Sequence, residues 1–364
     1  MGKRRRAVDA AHRLNPNAEF WRGQRVLLTG HTGFKGAWLA LWLKRLGAEV
    51  FGYSLPPDHE PNLHAMLPPE AGLAGAYGDI LDKPALAEVI ARCDPTITIH
   101  LAAQSLVRRS YRDPVATFET NVMGVVKVLD ALRDRSALRA ILIATTDKVY
   151  RNLERGRAFS EADPLGGHDP YSASKAACEI AAASWATSFF HGANTSLVTA
   201  RAGNVIGGGD WADDRLVPDI WRAAQADEAV VLRYPGATRP WQHVLEPLSG
   251  YLLHLEAAAA GSAPSALNFG PDPCDVRTVE DLTSAMLQAM GSRAGWVAPP
   301  APTFAEAQTL SLNSDLAAKA VGWRPRLDSA QAIAWTAEWY GRHAAGEAAR
   351  TLCLEQIERY ETLS

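Results

Sequence analysis

The chain has 364 residues, 47% of them hydrophobic, and a formal net charge of −3. That length supports a large core in one or two domains, and the near-neutral balance removes any bulk attraction to nucleic acid or to a membrane surface. No apolar run reaches the roughly 18 residues a membrane-spanning helix needs, and the start lacks the apolar core of a secretion signal. Cys93, Cys178, Cys274 and Cys353 are scattered, with no CxxC pair and no His partners at ligand spacing. The sequence therefore predicts no metal site, no disulfide framework and a reducing, cytoplasmic setting.

Residues 1–20, with the basic cluster Lys3-Arg4-Arg5-Arg6, read as a solvated arm. Val26-Leu27-Leu28-Thr29 predicts a short buried strand. Gly30-His31-Thr32-Gly33-Phe34-Lys35-Gly36 follows at once, then an apolar helix from Ala37 towards Gly47 and a second strand from Ala48 to Tyr53. Strand, glycine loop, helix and strand within about thirty residues form the unit that binds dinucleotides. Gly30 permits the tight turn, Gly33 lets backbone approach a pyrophosphate, and Gly36 lets the helix pack on the sheet. The helix N-terminus then faces the phosphates, with Phe34 beside them and His31 and Lys35 adding cationic character. The acidic residue expected at the end of the second strand is absent. Ser54 stands there, and no arginine is placed to meet a 2′-phosphate, so NAD is the expected cofactor.

Alternation continues along the chain. Asp79-Ile80 follow a short strand, within reach of an adenine. A fourth buried strand, Thr96 to Leu101, ends in Ala102-Ala103-Gln104-Ser105, small residues that let a cofactor come close. Asp113 to Leu132 predicts a long amphipathic helix with Asn121 in its middle, either facing the cofactor or solvated. The apolar run Ala140 to Ala144 leads into Thr145-Thr146-Asp147-Lys148-Val149-Tyr150, and Ser196 to Ala200 is a sixth strand. This pattern predicts an α/β fold, a doubly wound parallel sheet (Rossmann) with a smaller, interleaved C-terminal substrate domain. The expected division is an arm at 1–20, a cofactor domain at 21–201 joined by part of 241–266, and a substrate domain mainly at 202–364.

Tyr171 and Lys175 are four residues apart and share one helix face, so the ammonium can favour the phenolate. A free phenol titrates near pH 10, and making it a base near neutrality takes about 4 kcal/mol. A neighbouring lysine and a cationic nicotinamide ring can supply that.

The glycine loop, the Thr146-Asp147-Lys148 strand end and the Tyr171-Ser172-Ala173-Ser174-Lys175 segment together resemble an extended short-chain dehydrogenase/reductase of the nucleotide-sugar 4,6-dehydratase group. His100 to Val107, Arg201 to Trp211 and Arg239 to Val244 extend the likeness over roughly residues 17 to 345. The loop, the Thr-Asp-Lys triplet and the last two segments point to its CDP-sugar branch. The resemblance implies bound NAD, CDP-glucose as substrate, and three stages: oxidation at C4, loss of water across C5 and C6, and hydride return to C6. It implies Tyr171 as the C4 base with Lys175 and Thr146 beside it, and Asp147 and Lys148 as the elimination pair. Cofactor contacts are implied at Gly30, His31, Gly33, Phe34, Lys35, Gly36, Ser54, Asp79, Ile80, Leu101, Ala102, Ala103, Gln104 and Asn121. Substrate contacts are implied at Ser105, Asn204, Arg215, Leu216, Arg239 and Asn268.

Relatives that act on dTDP-glucose carry Asp-Glu where this chain has Asp147-Lys148, so an amine must replace a carboxylate at C5. That requires the amine's pKa to fall from about 10.4. A sugar-nucleotide epimerase would share the fold and the Tyr-Lys pair but needs no elimination pair. A silent NAD-binding protein would need neither Tyr171 nor Lys175. Helices at 113–132 and 171–190 are apolar enough to pair across a two-fold axis, as a homodimer or a dimer of dimers, or else to be buried inside the monomer.

Overall fold

A computed structural model of the chain describes residues 14–68, 74–154, 156–299 and 309–363. Most of the predicted arm, including Lys3-Arg4-Arg5-Arg6, lies outside them. The centre is a seven-stranded sheet of β1 (Arg25–Thr29), β2 (Glu49–Ser54), β3 (Ala74–Tyr77), β4 (Ile97–His100), β5 (Ala140–Ala144), β6 (Ser196–Ala202) and β7 (Ala266–Phe269). Its spatial order is β7-β6-β5-β4-β1-β2-β3, and every pair is parallel. Strands covered on both faces read as unbroken apolar runs rather than alternating ones. Val26, Leu27 and Leu28, and Ala140 to Ile143, are accordingly sealed from solvent.

Two layers of helix cover the sheet. On one face lie α1 (Phe34–Arg45), the long helix Leu245–Ala259 and the C-terminal helices Ser329–Ala344 and Ala349–Glu361. Because these later helices enclose it, α1 is apolar on every side from Gly36 to Leu43, and Trp38 and Trp42 are wholly buried. Trp42 donates to Glu361 at 2.9 Å and Trp38 to the Gly208 carbonyl at 2.9 Å. The other face carries α2 (Lys83–Cys93), α3 (Gly124–Leu132) and α4 (Pro170–Ser188). The segment predicted as one helix from Asp113 is a continuous helical run whose cap is Asp113. Its middle, Glu119–Met123, widens into a π-turn.

The order reverses between β1 and β4, and there the loops leaving the strands part to form a crevice. A smaller lobe overhangs it, built from the chain between β6 and Leu245 and from the segment after β7. Short strand pairs hold that lobe together: Val230–Val231 with Trp296–Val297, and Thr238–Arg239 with Arg277–Thr278.

Candidate active site

The crevice is a cleft of about 670 Å³ lined by the glycine loop on one side and the smaller lobe on the other. Local rules fix the loop. Gly30 has φ +76°, and a Cβ there would lie 2.6 Å from the Ala102 nitrogen. A Cβ on Gly36 would lie 2.1 Å from the Gly30 carbonyl oxygen. Both positions therefore exclude a side chain, while Gly33 is open to the cleft. Gly33 caps α1 with no side-chain hydrogen bond, which leaves the first N–H groups of that helix for an anion. The residues fit a dinucleotide: phosphates at the Gly33 end, Ser54 and Asp79 on the adenosine side, and Leu101 to Gln104 opposite.

One of the two expected loop cations is not placed as expected. His31 is buried beneath the loop against Gly52, bonded to Ser54 Oγ at 3.0 Å and packed edge-on to His64. Burial, then the neighbouring His64, pushes its pKa down to about 4. It is a neutral brace for Ser54 and puts no charge on the loop. Lys35 does face the cleft, 3.5 Å from the Tyr251 hydroxyl. Burial, then Arg215 and Lys175, brings its pKa down to about 7, with Asp147 acting the other way.

Asn121 is not solvated. The π-turn points it inward, where its amide receives the Gln104 N–H at 2.8 Å and donates to the Gln104 carbonyl at 3.0 Å and to Ser174 Oγ at 2.9 Å. It ties the loop after β4 to the catalytic helix without lining the cleft. Gln104 lines the cleft, but its side chain braces its own loop through Leu106 and Thr117.

The helix α4 starts at Pro170 with a capping box between Asp169 and Ser172. This sets Tyr171 in the first turn and Lys175 one turn later, both facing the cleft. Lys175 donates to the Ala144 carbonyl at the end of β5, 3.1 Å away. Burial lowers its pKa, opposed by Cys178 and Glu179. The Tyr171 phenol, in contrast, is pushed up by burial, opposed by a hydrogen bond with Thr146; Asp147 adds to the rise and Arg215 counters it. The expected fall in its pKa is thus not supplied by the protein alone, because burial outweighs the Thr146 hydrogen bond and the Arg215 cation.

At the end of β5 the chain turns. Asp147–Val149 form one turn of 3₁₀ helix, which Thr146 caps. Neighbouring side chains that would diverge along a strand are brought to one place. Lys148 Nζ sits 3.0 Å from Asp147 Oδ1 and 3.2 Å from Asn204 Oδ1, and Thr146 Oγ1 donates to Asp147 Oδ1 at 2.9 Å. Thr146 and Lys148 line the cleft, whereas Asp147 is wholly buried just behind it. Asp147 Oδ2 has no hydrogen-bond partner and lies beside Gly203.

On the far side, Arg215 bridges Asp210 at 2.9 Å and Ser105 Oγ at 3.0 Å, so the two walls of the cleft touch there. Leu216, Asn204 and the buried Arg239 also line it. Asn268 does not. It points from the end of β7 into the core, accepting from the Tyr150 hydroxyl at 2.6 Å and donating to the carbonyls of Phe159 and Asn313. With both ends of its amide engaged and no exposure, it braces the fold away from the cleft. Among the described residues no cluster of three His, Cys, Asp or Glu side chains could hold a metal ion.

A CDP-glucose 4,6-dehydratase of Salmonella typhimurium is 41% identical over 335 residues, covering 90% of this chain and 93% of its own. A dTDP-glucose 4,6-dehydratase of Streptomyces antibioticus is 30% identical over 277 residues, 75% of this chain and 78% of its own. The crystal structure of a Thermus thermophilus UDP-glucose 4-epimerase in complex with NAD matches with a TM-score of 0.77 at 26% identity, over 88% of this chain and 99% of that one. A family model, NAD dependent epimerase/dehydratase, matches residues 26–270. With that match and these relatives, the chain belongs to the NAD dependent epimerase/dehydratase family.

Proposed function

We propose that the protein is an NAD-dependent CDP-glucose 4,6-dehydratase, a hydro-lyase that converts CDP-glucose to CDP-4-keto-6-deoxyglucose. The observation carrying the reading is the Asp147-Lys148 turn set beside Thr146 and Tyr171, an elimination pair next to an oxidation pair. When bound, NAD supplies the hydride acceptor for C4, the hydride donor for C6 and a cationic ring beside the phenol.

The chain's own residues do the rest. Tyr171 takes the proton of the C4 hydroxyl while Thr146 holds that oxygen by a hydrogen bond. The resulting C4 ketone acidifies the proton on C5. Lys148, turned towards the cleft by Asp147 and Asn204, removes it. Asp147, buried just behind the cleft wall, supplies through the Lys148 amine bonded to it the proton for the departing C6 hydroxyl, so water leaves across C5 and C6. Arg239 and Asn204 hold the diphosphate throughout, and Arg215 holds the nucleotide. Cofactor and substrate domains are divided here as 21–201 with part of 241–266, and mainly 202–364.

The active unit is proposed to be a homodimer in the cytoplasm. Val115, Phe118, Met123 and Ile180 are exposed on the helices that flank the catalytic turn, with Val115 67% and Ile180 62% accessible. A second copy across a two-fold axis would bury them. All four cysteines are unpaired, as a reducing compartment maintains them.

Incubation of the NAD-loaded protein with CDP-, dTDP-, GDP- and UDP-glucose tests the reading, with the 4-keto-6-deoxy product followed by NMR. Ketone formation from CDP-glucose is expected. No ketone from it, alongside turnover of another sugar nucleotide, would overturn the assignment.

A further inference from the structure

One end of the cleft is left without a role by the chemistry above. The glycine loop and Asp79 occupy one side and Tyr171 the centre, so the base of the sugar nucleotide must reach the opposite end. That wall is built from the first turn of the helix Leu216–Ala226, the strand-end residues Leu232 and Tyr234, and Val279. Leu216, Val217, Leu232 and Val279 give it apolar faces suited to an aromatic ring, with Arg233 and Arg239 beside them. Asp219 puts a carboxylate into it from that first turn.

Asp219 is held in place. Arg222 donates to its Oδ1 at 2.6 Å and is itself anchored to the Trp211 carbonyl at 3.0 Å. The Asp219 side chain remains 35% exposed, with its other face open to the cleft. Burial raises its pKa, opposed by the Arg222 hydrogen bond and the Arg222 and Arg233 cations, with the nearby Asp214 adding to the rise. This is a fixed acceptor beside the apolar side chains of that wall.

We propose that Asp219 selects the pyrimidine by accepting a hydrogen bond from the exocyclic 4-amine of cytosine. Cytosine offers an amine donor at C4, whereas thymine and uracil offer a carbonyl oxygen there. An ionised carboxylate only accepts, so it pairs with the amine and leaves a C4 carbonyl facing negative charge with no proton between them. Rejection by an unpaired polar contact is far stronger than rejection by shape. The contact is the same in the ground and transition states, so its loss raises KM and leaves kcat nearly unchanged. The inference rests on the sugar-nucleotide reading above and adds which residue reads the base.

The test compares wild type, Asp219→Asn and Asp219→Leu in two ways: kcat/KM for CDP-, UDP- and dTDP-glucose, and Kd for CDP and UDP by calorimetry on the NAD-loaded protein. Asn keeps the oxygen that Arg222 needs and adds an N–H donor for a C4 carbonyl. Asp219→Asn should lower the CDP-to-UDP preference at least ~10-fold, in both the kinetic ratio and the Kd ratio, with UDP binding tightened. Asp219→Leu should weaken CDP without tightening UDP. If wild type favours the cytosine nucleotide and Asp219→Asn keeps the same preference, Asp219 is not the selector and the proposal is overturned. If wild type shows no preference for CDP over UDP in either measurement, the functional reading itself fails, and this proposal falls with it.

Discussion

The carboxylate of Glu179 meets the guanidinium of Arg201 at 2.8 Å, with side chains only 3% and 6% exposed. Glu179 follows Lys175 by one helical turn and also accepts hydrogen bonds from the hydroxyls of Thr145 and Thr199. Arg201 donates on to the Tyr150 hydroxyl at 2.8 Å, which donates to Asn268. A single buried network thus joins the catalytic helix to the ends of β5, β6 and β7. Thr145, which it anchors, immediately precedes the catalytic turn.

Breaking a buried pair leaves an uncompensated charge, which costs far more than the intact pair contributes. Glu179→Leu should therefore destabilise the fold by about 3–5 kcal/mol. The double change Glu179→Leu with Arg201→Met should recover much of that loss, since no buried charge remains. Urea unfolding of both variants checks the pairing; equal loss in the two would show that the charge is not the cause.

Tyr171→Phe removes the proposed C4 base and keeps the ring's packing. Activity should fall below about a hundredth of wild type, given the usual contribution of a positioned base, with NAD still bound. In wild type the phenol is held protonated by burial. The base form is the deprotonated one, so kcat/KM should climb with pH on an acid limb that Tyr171→Phe lacks. A residual rate with an unchanged limb would move the base elsewhere.

Lys148→Met separates elimination from oxidation. Tyr171 should still oxidise C4, so the stalled protein should hold a 4-keto sugar that keeps its C6 hydroxyl, together with the absorbance of reduced nicotinamide. Dehydration at the wild-type rate would make Lys148 a bystander.

Glu246 gives stability a pH dependence far from the chemistry. It is sealed in the core, where burial brings its pKa up to about 7 against hydrogen bonds from the Leu327 and Arg326 N–H groups and the Tyr360 hydroxyl. A carboxyl with a raised folded-state pKa takes up a proton on folding. Its contribution is fully present below about pH 4.5 and is lost as pH rises to about 7. Glu246→Gln keeps the acceptor for both N–H groups and removes the titration. The variant should therefore gain on wild type across that window, by about 3 kcal/mol at most. Thermal melts from pH 4.5 to 8 follow it, and parallel curves for the two proteins would refute it.

What the sequence made legible was whatever depends on neighbours along the chain. The glycine loop, the four-residue spacing of Tyr171 and Lys175, and the apolar strands follow from local rules, and their elements stand where those rules put them. What it concealed depends on distant contacts. A loop histidine reads as a cation until Gly52 and His64 are seen to bury it. Asn121 reads as a cofactor contact or a solvated helix residue until the π-turn is seen to point it at Gln104 and Ser174. Asn268 lies in a segment resembling a substrate-binding one, yet its amide is engaged by Tyr150, Phe159 and Asn313. Glu179, Asp219 and Glu246 carried no local signal beyond being charged residues on helical stretches. Each became significant only when the residues opposite were in place.

The seventh strand arrives late in synthesis. After β6 ends at Ala202, the chain leaves the sheet, builds one wall of the cleft, returns through Leu245–Ala259 and only then supplies Ala266–Phe269 to the open edge. Until that strand emerges from the ribosome, β6 presents a row of unpaired backbone groups, an invitation to pair with another nascent chain. The sheet therefore cannot seal its edge before much of the smaller lobe has been translated. The sheet and the smaller lobe mature together, and neither could be traded between proteins as an independent cassette.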